Sequence, residues 1–573
     1  MAVASERSTQ SATIADLLLR AADRYGDRPA VRAKRGDEWV DTSFAEVGTI
    51  VSETARGLID LGLEPGDRVA LLCTTRPEWS YLDYAISSAG GVVVPVYPTN
   101  SPEECAWVAG NSEARMVVCE DAGQAAKIAQ VRGELPALEQ VIVIESELDD
   151  LRARGRSRDP QEVLDRARAV RPEDPYTFIY TSGTTGPPKG CVLSHGNYRA
   201  VMDSVEAQGI LGESGDDEVV YLYLPLAHAY ALLIQLLCTD LGLPMAYFSG
   251  DATKIIPELA EVRPTYLPSV PRIFEKLFTL VAGQADPETI TKATQVGMQV
   301  RELERAGTEV PAELRAAFDR FDAALFAKVR AIFGGRVTQA TTGAAPIAKE
   351  ILEFFFAAGV PVLEGYGMTE TSTAATGQTP EDYRFGSVGK ALPGTDVRIA
   401  QDGEILLSGP NIFGGYYKME DASFGAVVDG WLHTGDLGRI DGDGFVFITG
   451  RKKDIIITAG GKNLTPANLE NDLKQSPVIS QAVMYGDRRP YPVALITLDP
   501  DAGLDPASDE AREKVQAHLD RMNAKYAQVE QIKRFAILDH DFSQETGELT
   551  PTLKVKRNVV YEQYAALFDG LYE

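Results

Sequence analysis

The sequence is poor in cysteine. Its 573 residues include five, Cys73, Cys105, Cys119, Cys191 and Cys238, scattered and without a C-x-x-C pair. Such a set excludes a disulfide framework and a structural zinc site, and it suits reduced thiols in a cytoplasmic protein. Positive charge is also in deficit. Lys plus Arg is 56 against 83 Asp plus Glu, a net charge of −27. A surface this acidic repels nucleic acid and anionic lipid at long range, so nucleic-acid binding is not expected. Long apolar runs are missing too. The first twenty residues have no basic region followed by an apolar one, and no secretory signal is expected there. One charge-free stretch, Tyr221 to Thr239, contains Pro225, His228 and Gln235. It reads as a buried strand running into a buried helix, not as a transmembrane segment. There is no internal repeat and no low-complexity tract.

What is present is ordinary for a soluble globular chain: 44% hydrophobic and 24% charged residues. The length implies several domains, or one large and one small. In the first part, short apolar strands (GDRVALLC, GGVVVPVYP, MVVCED, QVIVIES) alternate with amphipathic helices, one of them over Pro77 to Ala89. That order predicts βαβ units and parallel sheet. The Arg-, Asp- and Glu-rich segment 149–171 reads as a solvated helix or linker face. Residues 281–333 read as a helical hairpin, starting at Asp286-Pro287-Glu288, broken at Gly307 and resumed after Pro311. From about residue 380 short strands and Gly-rich turns predict a distorted barrel-like strand region. A smaller α+β unit follows Arg451-Lys452-Lys453. The expected division is a large N-terminal domain over 1–450, a hinge at 451–453 and a small mobile C-terminal domain over 454–573.

The most informative stretch is YTSGTTGPPKG over 180–190. An apolar strand runs into a loop of Gly, Thr and Ser, and Lys189 follows. Glycines let backbone amides approach an anion, hydroxyls add donors, and the lysine adds a point charge. This is equipment for a polyphosphate. It is not a Walker A loop, because two prolines separate Gly186 from Lys189 and no Ser or Thr follows the lysine.

With four further strings the stretch resembles the adenylate-forming (AMP-binding) superfamily. They are TGAAP (342–346), EGYGMTE (364–370), WLHTGD (431–436) and GRKKD (450–454), in the family's order. The resemblance covers essentially the whole chain. It implies that a carboxylate first joins the α-phosphate of ATP with release of pyrophosphate, and that a thiol or amine then displaces AMP. Such chemistry needs positioning and charge neutralisation rather than a protein nucleophile, so the lack of a Ser-His-Asp or Cys-His pattern is no argument against an enzyme. By resemblance, Thr181, Ser182, Gly183, Thr184, Thr185, Gly186 and Lys189 cradle the β- and γ-phosphates. Tyr366, within Glu364-Gly365-Tyr366-Gly367, stacks on adenine, and Gly343, Ala344 and Ala345 form the opposite wall. Thr369 bonds the α-phosphate. Glu370, with Thr181, is the Mg²⁺ ligand. Asp436 takes the ribose hydroxyls, and Arg451 lies where the family keeps a ribose or phosphate arginine. Lys453 matches the hinge position.

The C-terminal LTPTLKVKR (549–557) stands where the family has Pro-x-Gly-Lys. Lys554 aligns with the lysine that contacts the carboxylate and α-phosphate and is the favoured one, although Leu553 replaces the glycine and Lys556 stands two residues on as the other candidate. LPLAH (224–228) resembles an acyl-CoA synthetase motif in which His228 gates the acyl pocket; a buried histidine with no dynamic role is the other reading. The hairpin at 281–333 and the ETGELTPT string favour the long-chain fatty acid–CoA ligase subgroup, with coenzyme A as acceptor. The alternatives are a fatty-acyl-AMP ligase loading a separate carrier protein, and a non-catalytic nucleotide- or lipid-binding homologue. Chain length, monomer or homodimer, and peripheral membrane contact are left open.

Overall fold

The computed structural model describes residues 8–181, 187–211, 218–282, 286–550 and 554–573. Two large sheets form the N-terminal part. One has six strands in the order Gln140–Val143, Met116–Cys119, Arg68–Leu72, Val92–Val96, Pro175–Thr181, Lys189–Ser194. All its pairs are parallel except the last, which is antiparallel. Val69 and Leu71 join one apolar core, while Ala70 and Leu72 join another on the opposite face. Both faces are buried, which is why these strands read as continuous apolar runs rather than alternating ones.

The second sheet has seven strands, in the order Val362–Glu364, Gln339–Thr342, Tyr266–Ser269, Val220–Leu222, Met245–Tyr247, Pro29–Arg35, Glu38–Ser43. It is parallel apart from the hairpin formed by the last two. The charge-free stretch supplies the strand Val220–Leu222 and the helix Ala229–Leu241, almost wholly buried, as its composition implied. Asp83, on the helix Pro77–Ser88, accepts bonds from Tyr176 of the six-stranded sheet and from Gln235 of the helix Ala229–Leu241, and so ties the two together. Burial pushes its carboxyl up to about 7.

The hairpin expected at 281–333 is present. Its helices are Pro287–Arg305 and Ala312–Phe321, the second continuing through a π-turn, Asp322–Phe326, into Ala327–Ile332.

Two expectations are corrected and one is refined. Segment 149–171, expected as a solvated helix or linker face, is largely helical and mostly exposed, but one side of it is buried. It belongs to the helices Ile144–Arg156 and Gln161–Ala169, and the first packs against Phe44–Asp60. The backbones touch there: a Cβ on Gly155 would lie 1.8 Å from the Glu53 carbonyl oxygen, and one on Gly57 2.1 Å from that of Leu151. Charges on the outer face hide this contact, which two glycines make. QVIVIES is strand only to Val143, because Ile144 already opens that helix. The strand region after residue 380 is not barrel-like. Asp396–Ile399, Glu404–Ser408, Trp431–Ile440 and Val427–Val428 form an open antiparallel sheet in that order, with Val446–Arg451 paired to Trp431–Ile440.

The C-terminal unit has its own three-stranded sheet, Ile479–Tyr485, Val493–Leu498 and Arg534–Ile537, between two apolar clusters of its own. The arrangement is a large N-terminal α/β domain and a small C-terminal α+β one.

Candidate active site

Thr181, Gly343 and Gly365 stand at the carboxyl ends of strands with parallel neighbours, where ligands bind in open α/β sheets. Thr181 ends its strand and pairs with Lys189 across the antiparallel ladder. Between them Ser182, Gly183, Thr184, Thr185 and Gly186 lie outside the described residues. The strand carrying Lys189 is pinned at its far end by a capping box in which Ser194 accepts from the Asn197 amide. The indole of Trp107 donates to the Pro188 carbonyl at 2.8 Å. Cys191, fully buried on the same strand, is held well above its usual thiol range by burial and then by the Glu370 charge, with the Thr181 hydroxyl opposing. Thr181, Lys189 and Glu370 therefore share one neighbourhood.

Gln339–Thr342 ends at Gly343, and Val362–Glu364 at Gly365. These two turns meet: a Cβ on Gly343 would lie 3.1 Å from the Gly365 carbonyl oxygen. Gly367 has no room for a side chain at all, since its Cβ would sit 1.8 Å from the Thr373 oxygen. Ala344 and Ala345 are exposed, and Ala344 takes φ +67°, an uncommon strained geometry for a residue with a Cβ. Glu364 is buried, and burial pushes its carboxyl up to about 8, against the pull of the Ile347 amide. Thr369 and Glu370 sit on a single 3-10 turn, Thr369–Thr371.

Asp436 and Arg451 face each other across antiparallel strands. Arg451 Nε donates to Asp436 Oδ1 at 2.7 Å, and the Tyr366 hydroxyl donates to Oδ2 at 2.8 Å. The EGYG turn and the strand sheet are thus joined through one carboxylate. The Tyr366 hydroxyl stays protonated, held above its usual range by burial and by the Asp436 charge.

Lys554 reaches this cleft from the C-terminal unit. Burial and then the Arg451 charge lower its pKa, while Asp436 and Glu370 pull the other way. Lys554 is nonetheless an exposed residue. His228 is lowered to about 4 by burial and then by Lys554. It is neutral near pH 7 and caps the helix Ala229–Leu241, its Nδ1 accepting from the Tyr230 amide at 3.2 Å. That assigns its proton to Nε2. Lys556 instead occupies the cap position before the helix Arg557–Gln563. Lys453 is exposed on the 3-10 turn Lys452–Asp454, between the two units.

Three side chains here escape sequence reasoning. Tyr416 donates to Glu370 Oε1 at 2.7 Å. Arg272 and Lys276 pair with Asp499 and Asp501 of the C-terminal unit at 2.9 and 2.7 Å. Only Tyr416 has a local signal, two preceding glycines that allow close backbone approach.

A family model for the AMP-binding enzyme matches residues 18–417, and one for the AMP-binding enzyme C-terminal domain matches 453–573. The chain is 40% identical over 561 residues to the long-chain-fatty-acid–CoA ligase FadD15 of Mycobacterium tuberculosis, covering 93% of this chain and 92% of that protein. It is 34% identical over 618 residues to the human long-chain-fatty-acid–CoA ligase ACSBG1, covering 98% and 85%. In fold it resembles the adenylation domain of a carboxylate reductase from Mycobacterium chelonae, with a TM-score of 0.78, 21% identity, and coverage of 100% and 94%. The chain belongs to the AMP-binding enzyme family.

Proposed function

We propose that the chain is an AMP-forming long-chain fatty acid–CoA ligase. A fatty carboxylate oxygen attacks the α-phosphorus of ATP. The bond to the bridging oxygen breaks, pyrophosphate leaves, and acyl-AMP forms. The sulfur of coenzyme A then attacks the acyl carbonyl, the thiol proton is lost to solvent, and AMP leaves with the oxygen that linked it to the acyl group.

The observation that carries this reading is the meeting of Lys554 with Glu370, Asp436, Arg451 and His228. Both reactants of the first step are anions, and the transition state places further charge on the phosphoryl oxygens. Lys554 supplies a fixed cation at that point from the second unit, and Lys189 and Arg451 supply others. Thr369, beside Glu370, donates to the α-phosphate. Tyr366 carries its ring against adenine while its hydroxyl orients Asp436 for the ribose. Gly343, Ala344 and Ala345 form the opposite wall, and Glu364, Gly365 and Gly367 shape the turn. The loop from Thr181 through Ser182, Gly183, Thr184, Thr185 and Gly186 to Lys189 holds the outer phosphates. His228, neutral and anchored through Nδ1, offers an Nε2–H at the acyl side. Lys453 is the hinge.

The residues also fit Mg²⁺. Among the described residues no cluster of three or more protein ligands exists, and Tyr416 engages only one oxygen of Glu370. A hard cation held by one carboxylate plus substrate oxygens suits such a site. Glu370, with Thr181, would hold Mg²⁺, which when bound neutralises phosphate charge.

The two relatives named above are titled as long-chain-fatty-acid–CoA ligases, which favours a long alkyl chain and coenzyme A over a carrier protein. Five buried, unpaired thiols suit a reducing compartment, and we assign the reaction to the cytoplasm. Among the described residues no helix is long and apolar enough to cross a membrane. The test is acyl-CoA formation with ATP, Mg²⁺ and coenzyme A across short-, medium-, long-chain and aryl acids. Long-chain product is expected. No acyl-CoA from any acid, with acyl-AMP still formed, would transfer the assignment to carrier-protein loading.

A further inference from the structure

The segment from Phe413 to Tyr417 lies as a strap between the two charged halves of the phosphate side. On one edge it is hydrogen-bonded to the strand that begins at Lys189: the Val192 amide donates to the Gly415 carbonyl at 2.9 Å, and the Tyr417 amide to the Gly190 carbonyl at 2.8 Å. At its start, the Phe413 amide donates to the Glu370 carbonyl at 2.9 Å. Gly415 adopts φ +125°, and a Cβ there would stand 3.0 Å from Ser423 Oγ, the atom that accepts the Tyr416 amide at 2.8 Å. The backbone of Tyr416 is therefore fixed from both sides, and Phe413 packs edge-on against its ring at 4.9 Å.

From that anchored position the side chain makes two contacts of opposite character. Its hydroxyl donates to Glu370 Oε1 at 2.7 Å, and the ammonium of Lys189 sits over its ring, 4.9 Å from the centroid. A phenol can do both at once, donating from its edge to a carboxylate and offering its negative face to a cation. Lys189 and Glu370 are thereby kept apart. Without the ring between them, a lysine and a carboxylate of one neighbourhood are free to pair, which would cancel the charges the nucleotide needs.

We propose that Tyr416 is a positioning residue that holds Glu370 and Lys189 separated for a metal–nucleotide. The hydroxyl occupies Oε1 and leaves Oε2 to the cation. The ring carries Lys189 toward the phosphates. The proposal rests on the reading of Glu370 and Lys189 given above.

Two substitutions separate the contacts. Tyr416→Phe keeps the ring and removes the donor; Tyr416→Leu removes both. The measurement is equilibrium binding of ATP to the full chain, by calorimetry, over a Mg²⁺ series and in EDTA. Thermal unfolding of the ligand-free variants verifies folding. For Tyr416→Phe, ATP affinity in EDTA is expected to stay within about twofold, while the Mg²⁺ concentration giving half the enhancement rises about tenfold or more, as loss of a hydrogen bond to a charged group implies. For Tyr416→Leu, affinity in EDTA is expected to fall as well, by about three- to tenfold, from the lost cation–ring contact. Wild-type Mg²⁺ dependence in Tyr416→Phe overturns the proposal, and that variant decides even if Tyr416→Leu does not fold. If the wild-type chain itself shows no Mg²⁺ enhancement of ATP binding, the underlying reading of Glu370 fails instead.

Discussion

The two sides of the cleft are built differently. On the N-terminal side the two carboxylates are each bonded by neighbouring side chains. Asp436 is bonded by both Tyr366 and Arg451, and Glu370 by Tyr416. On the C-terminal side the backbone at Lys554 is hydrogen-bonded within its own unit. Its loop closes through the Thr550 amide on the Lys554 carbonyl at 2.8 Å and the Lys556 amide on the Glu548 carbonyl at 2.7 Å. Arg557 grips Glu470 through two bonds at 2.6 and 2.7 Å. What brings that unit to the cleft includes two partly exposed ion pairs, Arg272–Asp499 and Lys276–Asp501. Exposed pairs contribute about 0–1 kcal/mol each. On the function proposed above, the difference assigns nucleotide binding to a wall preformed in the N-terminal part, and the first step to a cation supplied by the other unit.

The sharpest way to break this comparison is to remove the delivered cation. Lys554→Ala is expected to lower acyl-AMP formation by roughly 100- to 1,000-fold, as loss of one positioned transition-state donor implies. Thioester formation from supplied acyl-AMP should be largely retained. Equal loss of both half-reactions, measured separately by rapid quench, would show that Lys554 is not specific to the first.

Damage to the preformed wall should appear in binding instead. Asp436→Ala leaves the Tyr366 hydroxyl and the Arg451 guanidinium without their acceptor, and the KM for ATP is expected to rise roughly 10- to 100-fold. A fall in kcat at unchanged KM would contradict this.

The ion pairs sharpen the contrast. Arg272→Asp is expected to reduce acyl-AMP formation by about 2- to 10-fold, with ATP affinity unchanged, and to make the remaining rate less sensitive to salt. Combining it with Asp499→Arg should restore most of the rate. Failure of the exchange to restore it, in the same assay, would mean the pair does not set the position of Lys554.

The smallest effect concerns the wall's buried acid. Glu364 has a folded pKa of about 8, above the ordinary value of 4.5. The folded state keeps this proton while the unfolded chain gives it up, so the group's contribution to stability falls as pH rises from about 4.5 to about 8 and is level above that. Glu364→Gln removes the effect. Its melting temperature relative to wild type should therefore climb between pH 5 and pH 8 and then level off; a pH-independent difference would place an ionised carboxylate there.

Much of this was legible in the sequence, for identifiable reasons. Strands buried on both faces, such as Arg68–Leu72, announce themselves as apolar runs, and the phosphate and EGYGMTE strings mark their own turns. The helical hairpin at 281–333 is written in its Pro and Gly punctuation. Packing that depends on register is not written locally. Nothing in WLHTGD says that Asp436 will face Arg451, or that the strands around it form an open sheet rather than a barrel. Segment 149–171 shows its charge but conceals the contact made by Gly57 and Gly155. Alignment with the motif favours Lys554 over Lys556, but the nearness of Lys554 to Asp436, Glu370 and Arg451 is not written in the spacing, since it depends on where the C-terminal unit sits.

The most direct test of the central claim is pyrophosphate–ATP exchange in the absence of coenzyme A. Exchange that requires both a long-chain fatty acid and Mg²⁺, and that is lost in Lys554→Ala, is the expected result. Tight ATP binding with no exchange from any carboxylic acid would contradict it.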